Sequence, residues 1–240
     1  MPGGALTELL TFFTPLSALQ RQEGGAVTLL TPGTNVLGLN ATYLPPGDVA
    51  PALSPAIQAW HTGHDLPLVA ASLVPLPGAH EVVTLQVGVL APGGPPDPTG
   101  QLRSGAAVVV EQISRLHLEG WAASLAQSRG TPAWAPALAR HLAGVLEGQR
   151  EYVLLQAYGR GETVGGLLWQ ARPEGGAAHL WGARTPEAAR ALLRAAASLA
   201  SGPLWVSALP DDEVPLRAAN HVFFSRLNED TPYFSNAPDM

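Results

Sequence analysis

The chain has 240 residues, of which 46% are hydrophobic and only 13% are charged, so it is long enough and apolar enough to bury a sizeable core. Its net charge is -6 and it has no run of basic residues, which argues against nucleic acid or an anionic membrane surface as a partner. All 13 basic residues are Arg, so a Lys nucleophile is excluded. The absence of Cys excludes thiol catalysis, disulfides and Cys-ligated zinc.

The first residues, MPGGALTELLTFF, have no basic region and no long apolar run, and no other window approaches the length of a membrane span. We therefore expect a soluble, cytoplasmic protein with no membrane partner.

The N-terminal half alternates short apolar segments with turns. The sequence predicts four strands and one helix, in the order strand 24–30 (GGAVTLL), strand 35–44 (NVLGLNATYL), helix 48–64, strand 66–72 and strand 80–90. Pro51 and Pro55 interrupt the predicted helix, because proline lacks the N–H group that a helix interior requires.

Two Pro-rich segments mark boundaries. Residues 91–105, APGGPPDPTGQLRSG, contain four Pro and four Gly and predict an exposed linker. Residues 231–240 have two Pro and no periodicity, which predicts a C-terminal tail. The chain therefore divides into a first half over 1–90 and a second over 106–230.

The second half is predicted to contain a longer series of elements. They are strand 108–113 (VVVEQI), helix 114–127, helix 135–149, strands 151–159, 163–171 and 175–183 as a meander, helix 186–201, strand 203–210, a short broken helix 211–220 and strand 221–229. Helical spacing supports the first two helices through Leu116, Trp121 and Leu125 in one and Leu138, Leu142 and Leu146 in the other. Pro186 and Glu187 suit the start of the third helix.

The first half repeats part of this order. Strand–strand–helix–strand–strand describes the predicted elements of 24–90 and also those of 163–229. Two explanations stay open: an internal duplication with a truncated first copy, or a shared layout without common origin.

The order of elements over 108–229 resembles that of the acyl-CoA-dependent N-acetyltransferase (GNAT) superfamily. The resemblance implies an α/β (α+β) fold with a mixed, mostly antiparallel central sheet flanked by helices, and two related halves. In that family the acyl thioester and the pantetheine arm lie between the fourth and fifth strands. A loop of the form Arg-x-x-Gly-x-Gly/Ala then holds the pyrophosphate at the start of the next helix.

The matching positions here are the end of the predicted strand 175–183 and the residues after it. The resemblance implies that acetyl-CoA would contact Trp181, Gly182, Ala183, Arg184 and Arg190. The sequence ARTPEAARALL, however, enters the helix directly and lacks every glycine of the family loop. Arg184 and Arg190 either replace the lost contacts with their guanidinium charge or are solvated residues at a helix end.

Glu111 and His179 are the candidate catalytic residues. Glu111 lies in an apolar strand that could bury its carboxylate and make it a base, or it is the outward-facing member of that strand. His179 occupies an interior position of strand 175–183, as a base or as a hydrogen-bonded structural residue. The family often places a proton-donating Tyr before the last strand, where this chain has Leu216 and Arg217.

His61, His64 and Asp65 form a separate cluster that has the spacing of a metal site at a helix end. No fourth ligand accompanies it, and His near a helix C-terminus is also favoured by the helix dipole. We therefore expect no bound metal.

Two functions follow from these observations. The chain is either an N-acetyltransferase that moves an acetyl group from acetyl-CoA to an amine, or a non-catalytic relative that binds a small-molecule amine or a protein partner. The low charge content and the open strand edges also predict a homodimer.

Overall fold

The structure is a computed structural model and describes residues 4–47, 54–92 and 108–227. The chain forms two compact units, one of Met1–Val87 with Ala219–Met240 and one of Gly88–Ala218. The predicted tail and nearly all of the predicted linker lie outside the described residues. The domain boundaries and the duplication therefore stay predictions.

The helices and strands follow in chain order as α1 (Gly4–Phe13), β1 (Leu19–Glu23), β2 (Ala26–Leu30), β3 (Ala41–Tyr43), α2 (Pro55–Thr62), β4 (Val69–Ser72), β5 (His80–Leu90), β6 (Val109–Ile113), α3 (Leu118–Ser128), α4 (Ala135–Val145), β7 (Tyr152–Gly159), β8 (Glu162–Arg172), β9 (Gly175–Ala183), α5 (Pro186–Leu199), β10 (Leu204–Ala208) and β11 (Leu216–Arg226). The chain passes from one unit to the other within β5 and again within β11.

The first unit has the strand order β1-β2-β3-β4-β11. Strands β1, β2 and β3 pair antiparallel, β3 and β4 pair parallel, and β4 and β11 pair antiparallel. Its core includes Leu44, Ile57, Leu68 and Leu76.

Two predicted elements of this unit are shorter than expected. The predicted strand 35–44 is a 3₁₀ turn followed by the three residues of β3. The side chain of Asn40 explains the turn, because its Nδ2 donates to the Thr34 carbonyl at 2.9 Å and its Oδ1 accepts from the Thr31 N–H at 2.8 Å. The described part of the predicted helix 48–64 begins only at Pro55, where the Ser54 hydroxyl accepts from Ile57 N–H.

The second unit has the strand order β5-β10-β9-β8-β7-β6. The predicted meander is confirmed, since β6 to β9 pair antiparallel in sequence, while β9 and β10 pair parallel. A Cβ added to Gly165 would lie 3.0 Å from Leu192 of α5, and one added to Gly166 would lie 2.9 Å from Trp121 of α3. Successive strand residues point to opposite faces, so α5 and α3 cover opposite faces of β8. The predicted mixed sheet flanked by helices is therefore observed.

Two further predictions of local structure were wrong. Leu116 does not join the buried stripe of its helix, because it lies in a 3₁₀ turn before α3 and is 90% exposed. Residues 211–220 do not form a broken helix. A 3₁₀ turn covers only Pro210–Asp212, Glu213 takes a left-handed conformation with φ 51°, and β11 begins at Leu216. The Ala91 N–H pairs with the Pro215 carbonyl at 2.9 Å, which favours extended chain there.

The longest helix of the described residues, α5, has 14 residues, and no described helix has both the length and the apolar character needed to cross a bilayer.

Candidate functional site

The parallel strands β9 and β10 pair over only part of their length. The paired positions run from Leu204 opposite Gly176 to Val206 opposite Ala178, whereas β9 continues to Ala183. Residues 179–183 of β9 therefore have no backbone pairing with β10, and we call the space between these strand ends the gap. A helix, α5, begins directly after this end of β9.

The side chain of Trp181 bridges the gap. Its Nε1–H donates to the carbonyl of Ser207 on β10 at 2.7 Å, and the residue is only 4% exposed. A second link joins the same strands, since the Ser207 hydroxyl donates to the His179 carbonyl at 3.3 Å. The two strands therefore stay connected through side chains beyond the point where backbone pairing stops.

An arginine side chain binds the backbone carbonyl of Trp181. Arg129, which follows α3, donates from Nε and Nη2 to the Trp181 carbonyl at 3.1 and 2.9 Å. Its guanidinium carbon lies 5.1 Å from the centre of the Trp181 ring, within the range of a cation–π contact. Both oxygens of Asp212 lie 3.4 Å from Arg129, and Oδ2 of Asp212 also accepts from Leu209 N–H at 2.8 Å.

The first turn of α5 has few N–H groups that are free to bind a ligand. Pro186 has none to offer. The Glu187 carboxylate accepts from its own N–H and from the Thr185 hydroxyl, and these two bonds, in that order, hold the pKa of Glu187 below its usual range. Ala188 N–H donates to the Thr185 hydroxyl at 3.2 Å, and Ala189 N–H donates to the Thr185 carbonyl at 3.0 Å. The Ala188 and Ala189 N–H groups therefore have partners within the chain, and Pro186 has no N–H group.

A cavity of about 490 Å³ lies between this turn and the Pro210–Asp212 turn. Its lining combines apolar residues with charges of both signs, from Trp181, Ala183, Arg184, Thr185, Pro186, Ala189, Arg190, Leu193, Asp211, Asp212, Glu213 and Val214. Three carboxylates and two guanidinium groups face each other across it, so the lining is negative by one charge.

Four of the five residues that the resemblance assigned to acetyl-CoA line this cavity, and Gly182 does not. A Cβ on Gly182 would lie 2.2 Å from the Ser128 hydroxyl, so this glycine permits the close approach of the end of α3. The guanidinium of Arg184 lies 3.9 Å from the Glu162 carboxylate of β8, and that of Arg190 lies 3.2 Å from Glu187. Cofactor contact by these residues stays a prediction.

The two candidate catalytic residues are not brought together. Glu111 is exposed on β6, which agrees with the outward-facing alternative and not with a buried carboxylate. His179 is buried on β9. Two strands separate β6 from β9, which places these two strands about 14 Å apart at the usual strand spacing, and Glu111 and His179 are also offset along the sheet. Neither residue lines the cavity.

Sequence reasoning missed Arg129 and Asp212. The two residues lie 83 positions apart, and no periodic pattern joins an arginine after one helix to an aspartate before the last strand. The chain offered one weak signal, the double aspartate after Pro210 beside an otherwise apolar strand.

The histidine cluster of the first unit is structural. His61 is fully buried, with Nε2 3.0 Å from the Thr42 hydroxyl and Nδ1 3.0 Å from the Pro67 carbonyl. His64 packs edge-on against Trp60. Both ring nitrogens of His61 are engaged, and within residues 4–47, 54–92 and 108–227 no three His, Cys, Asp or Glu side chains are grouped to hold a metal.

No protein-family model and no curated protein sequence matches the chain. Solved structures do match. A GCN5-related N-acetyltransferase from Kribbella flavida has a TM-score of 0.58 at 17% identity, over 93% of this chain and 96% of that chain. A GCN5-related N-acetyltransferase from Sphaerobacter thermophilus has a TM-score of 0.50 at 13% identity, over 95% and 93%. A conserved protein of unknown function from Staphylococcus epidermidis has a TM-score of 0.55 at 10% identity, over 87% and 93%.

Sequence identities this low show a common fold and nothing finer. The described elements, with a mixed sheet and helices on both faces of β8, agree with that likeness.

Proposed function

We propose that this chain, which has the fold of the GCN5-related N-acetyltransferases, binds a small molecule in the cavity beside α5 and does not transfer acetyl groups from acetyl-CoA. The observation that carries the proposal is the first turn of α5, in which Pro186 has no N–H group, the Ala188 and Ala189 N–H groups bond to Thr185, and Glu187 adds a carboxylate.

A pyrophosphate at a helix start needs free N–H donors and a backbone that it can approach closely, which glycines provide. Here Pro186 replaces one donor and Thr185 accepts from two others. The Glu187 carboxylate adds negative charge in the first turn, where a phosphate would lie. The residues present therefore do not fit the phosphates of coenzyme A.

The charges around the cavity lead to the same conclusion. Asp211, Asp212 and Glu213 stand against Arg184 and Arg190 in its lining. Their charged neighbours are Arg129 beside Asp212, Glu187 beside Arg190 and Glu162 beside Arg184, which add one positive and two negative charges and leave the balance negative. Such a lining repels a ligand with several phosphates and favours one that carries an ammonium group.

The cavity also has a suitable size and character for a small ligand. About 490 Å³ lies within the usual range of small-molecule sites, and Trp181, Leu193 and Val214 supply apolar surface. A small amine with an apolar body is the ligand class that this combination favours.

Isothermal titration of the purified protein tests the proposal. We expect no binding heat with acetyl-CoA or free CoA at millimolar concentration, because the α5 turn presents few N–H donors and a carboxylate to their phosphates. In the same series, phenethylamine should bind more tightly than phenylacetate, which has a similar body and the opposite charge. Dissociation constants in the micromolar range for acetyl-CoA would contradict the proposal, and a preference for phenylacetate would contradict the ligand class.

A further inference from the structure

We infer that the chain's own Trp181, held by Arg129 and Asp212, occupies the gap between β9 and β10 that a pantetheine arm would need. The inference rests on the proposed function and deepens it, because it names the residues that exclude the acyl arm as distinct from the phosphates. It concerns a different part of the molecule from the α5 turn and can fail separately.

Two backbone carbonyls at the gap already accept hydrogen bonds from side chains of the chain itself. Parallel strands that part leave N–H and C=O groups unpaired, and an amide-containing arm between them would bond to those groups. The Ser207 carbonyl already accepts from the Trp181 indole at 2.7 Å. The Trp181 carbonyl already accepts two bonds from Arg129, at 3.1 and 2.9 Å. These two carbonyls are thus engaged within the chain and are not available to an arm.

The indole is also too large and too well packed to move aside at low cost. Trp181 is 4% exposed and belongs to the core cluster that contains Leu193 of α5 and Val206 of β10. Withdrawing the ring would lose that buried apolar surface together with the bond to Ser207. Buried apolar surface and the hydrogen bond to Ser207 therefore both stabilise the indole in the gap.

Arg129 joins three elements at this point: the end of α3, the end of β9 and the turn before β11. Its side chain is 30% exposed and that of Asp212 is 21% exposed, so water screens the pair less than it screens a surface pair. Asp212 is fixed in turn by Leu209 N–H at 2.8 Å. Because Asp212 is itself held in place, it fixes the position of the Arg129 guanidinium over the Trp181 ring.

Gly182 makes this arrangement sterically feasible. A side chain there would meet Ser128, the residue before Arg129, at 2.2 Å. Only glycine lets the end of α3 come close enough for Arg129 to reach the Trp181 carbonyl.

The test is the binding of pantetheine, which has the amide arm and thiol but no phosphate and so does not depend on the α5 turn. By calorimetry the wild-type protein should show no binding at several millimolar. Trp181→Ala removes the indole and frees the Ser207 carbonyl, and it should bind pantetheine with a dissociation constant on the order of 1 mM.

Trp169→Ala is the matched control. Trp169 lies on β8 in the same core cluster and is 7% exposed, so its loss opens a cavity of the same kind away from the gap. This variant should not bind pantetheine. Circular dichroism and a cooperative unfolding transition establish that each variant is folded. Trp181→Leu, which keeps apolar contact with α5, replaces Trp181→Ala if the alanine variant does not fold, and it should bind pantetheine too.

The possible outcomes separate the two proposals. Pantetheine binding by the Trp181 variant alone supports the inference. Binding by wild type, by the Trp169 variant to the same extent, or by none of the folded variants overturns it. None of these results bears on the phosphates, whereas wild-type binding of acetyl-CoA overturns the proposed function even if the Trp181 result is as expected.

Discussion

The buried histidine His61 should make the stability of the first unit decrease at acidic pH. The Thr28 and Thr42 hydroxyls lie 2.9 Å apart, Thr42 lies 3.0 Å from His61 Nε2, and His61 Nδ1 lies 3.0 Å from the Pro67 carbonyl. Burial lowers the pKa of His61 from 6.5 to about 4. The bond to Pro67 opposes that change, and nearby His64 adds slightly to it.

The direction of the pH effect follows from linkage. An unfolded His takes up a proton near pH 6.5 and the folded one only near pH 4, so the unfolded state binds more protons between these values. The stability contributed by neutral His61 is fully present above pH 6.5 and is lost as pH falls to about 4. The difference between 6.5 and about 4 corresponds to about 3 kcal/mol.

Urea unfolding at pH 7, 5.5 and 4.5 measures this effect. The free energy of unfolding should fall more steeply with decreasing pH in wild type than in His61→Gln, which keeps a polar side chain that does not titrate. Parallel pH dependences for the two proteins would mean that His61 is not the group responsible.

Elements with strong periodicity could be predicted from the sequence. Leu138, Leu142 and Leu146 are all buried at the positions that the helical spacing indicated, and the meander and α5 lie where they were expected. The strand β1 could not be predicted, because LQRQE has no apolar alternation. It forms through its pairing with β2 across Gly24 and Gly25, which take positive φ.

The helix α1 is a different case. Leu6, Leu9 and Phe13 have helical spacing and are buried, so the signal was present in a segment that sequence analysis considered only as a possible leader.

For the site, local sequence located the end of β9 and the start of α5. It could not locate Arg129 and Asp212, because their positions depend on tertiary packing.

The start of α5 gives a prediction at the scale of one element. Thr185→Ala removes the hydroxyl that accepts from Ala188 N–H and should lower the free energy of unfolding by about 1 kcal/mol. Thr185→Ser keeps an acceptor and should stay close to wild type. Chemical denaturation of the three proteins compares them, and equal losses for Ala and Ser would show that the cap does not stabilise the helix.

At the scale of the whole molecule, the fold is that of the GCN5-related N-acetyltransferases, and fold alone does not establish activity. The core of the second unit is continuous from β7 to β10 and includes Trp181. The residue that we propose to fill the gap therefore also contributes to the core. The homodimer stays a prediction.

The most direct test of whether Trp181 fills the gap between β9 and β10 is a crystal structure of the protein grown with several millimolar acetyl-CoA. We expect the Trp181 indole to bond to the Ser207 carbonyl, with Arg129 against the Trp181 carbonyl and no cofactor between β9 and β10. Density for a pantetheine arm in that gap, with the indole displaced, would contradict the account.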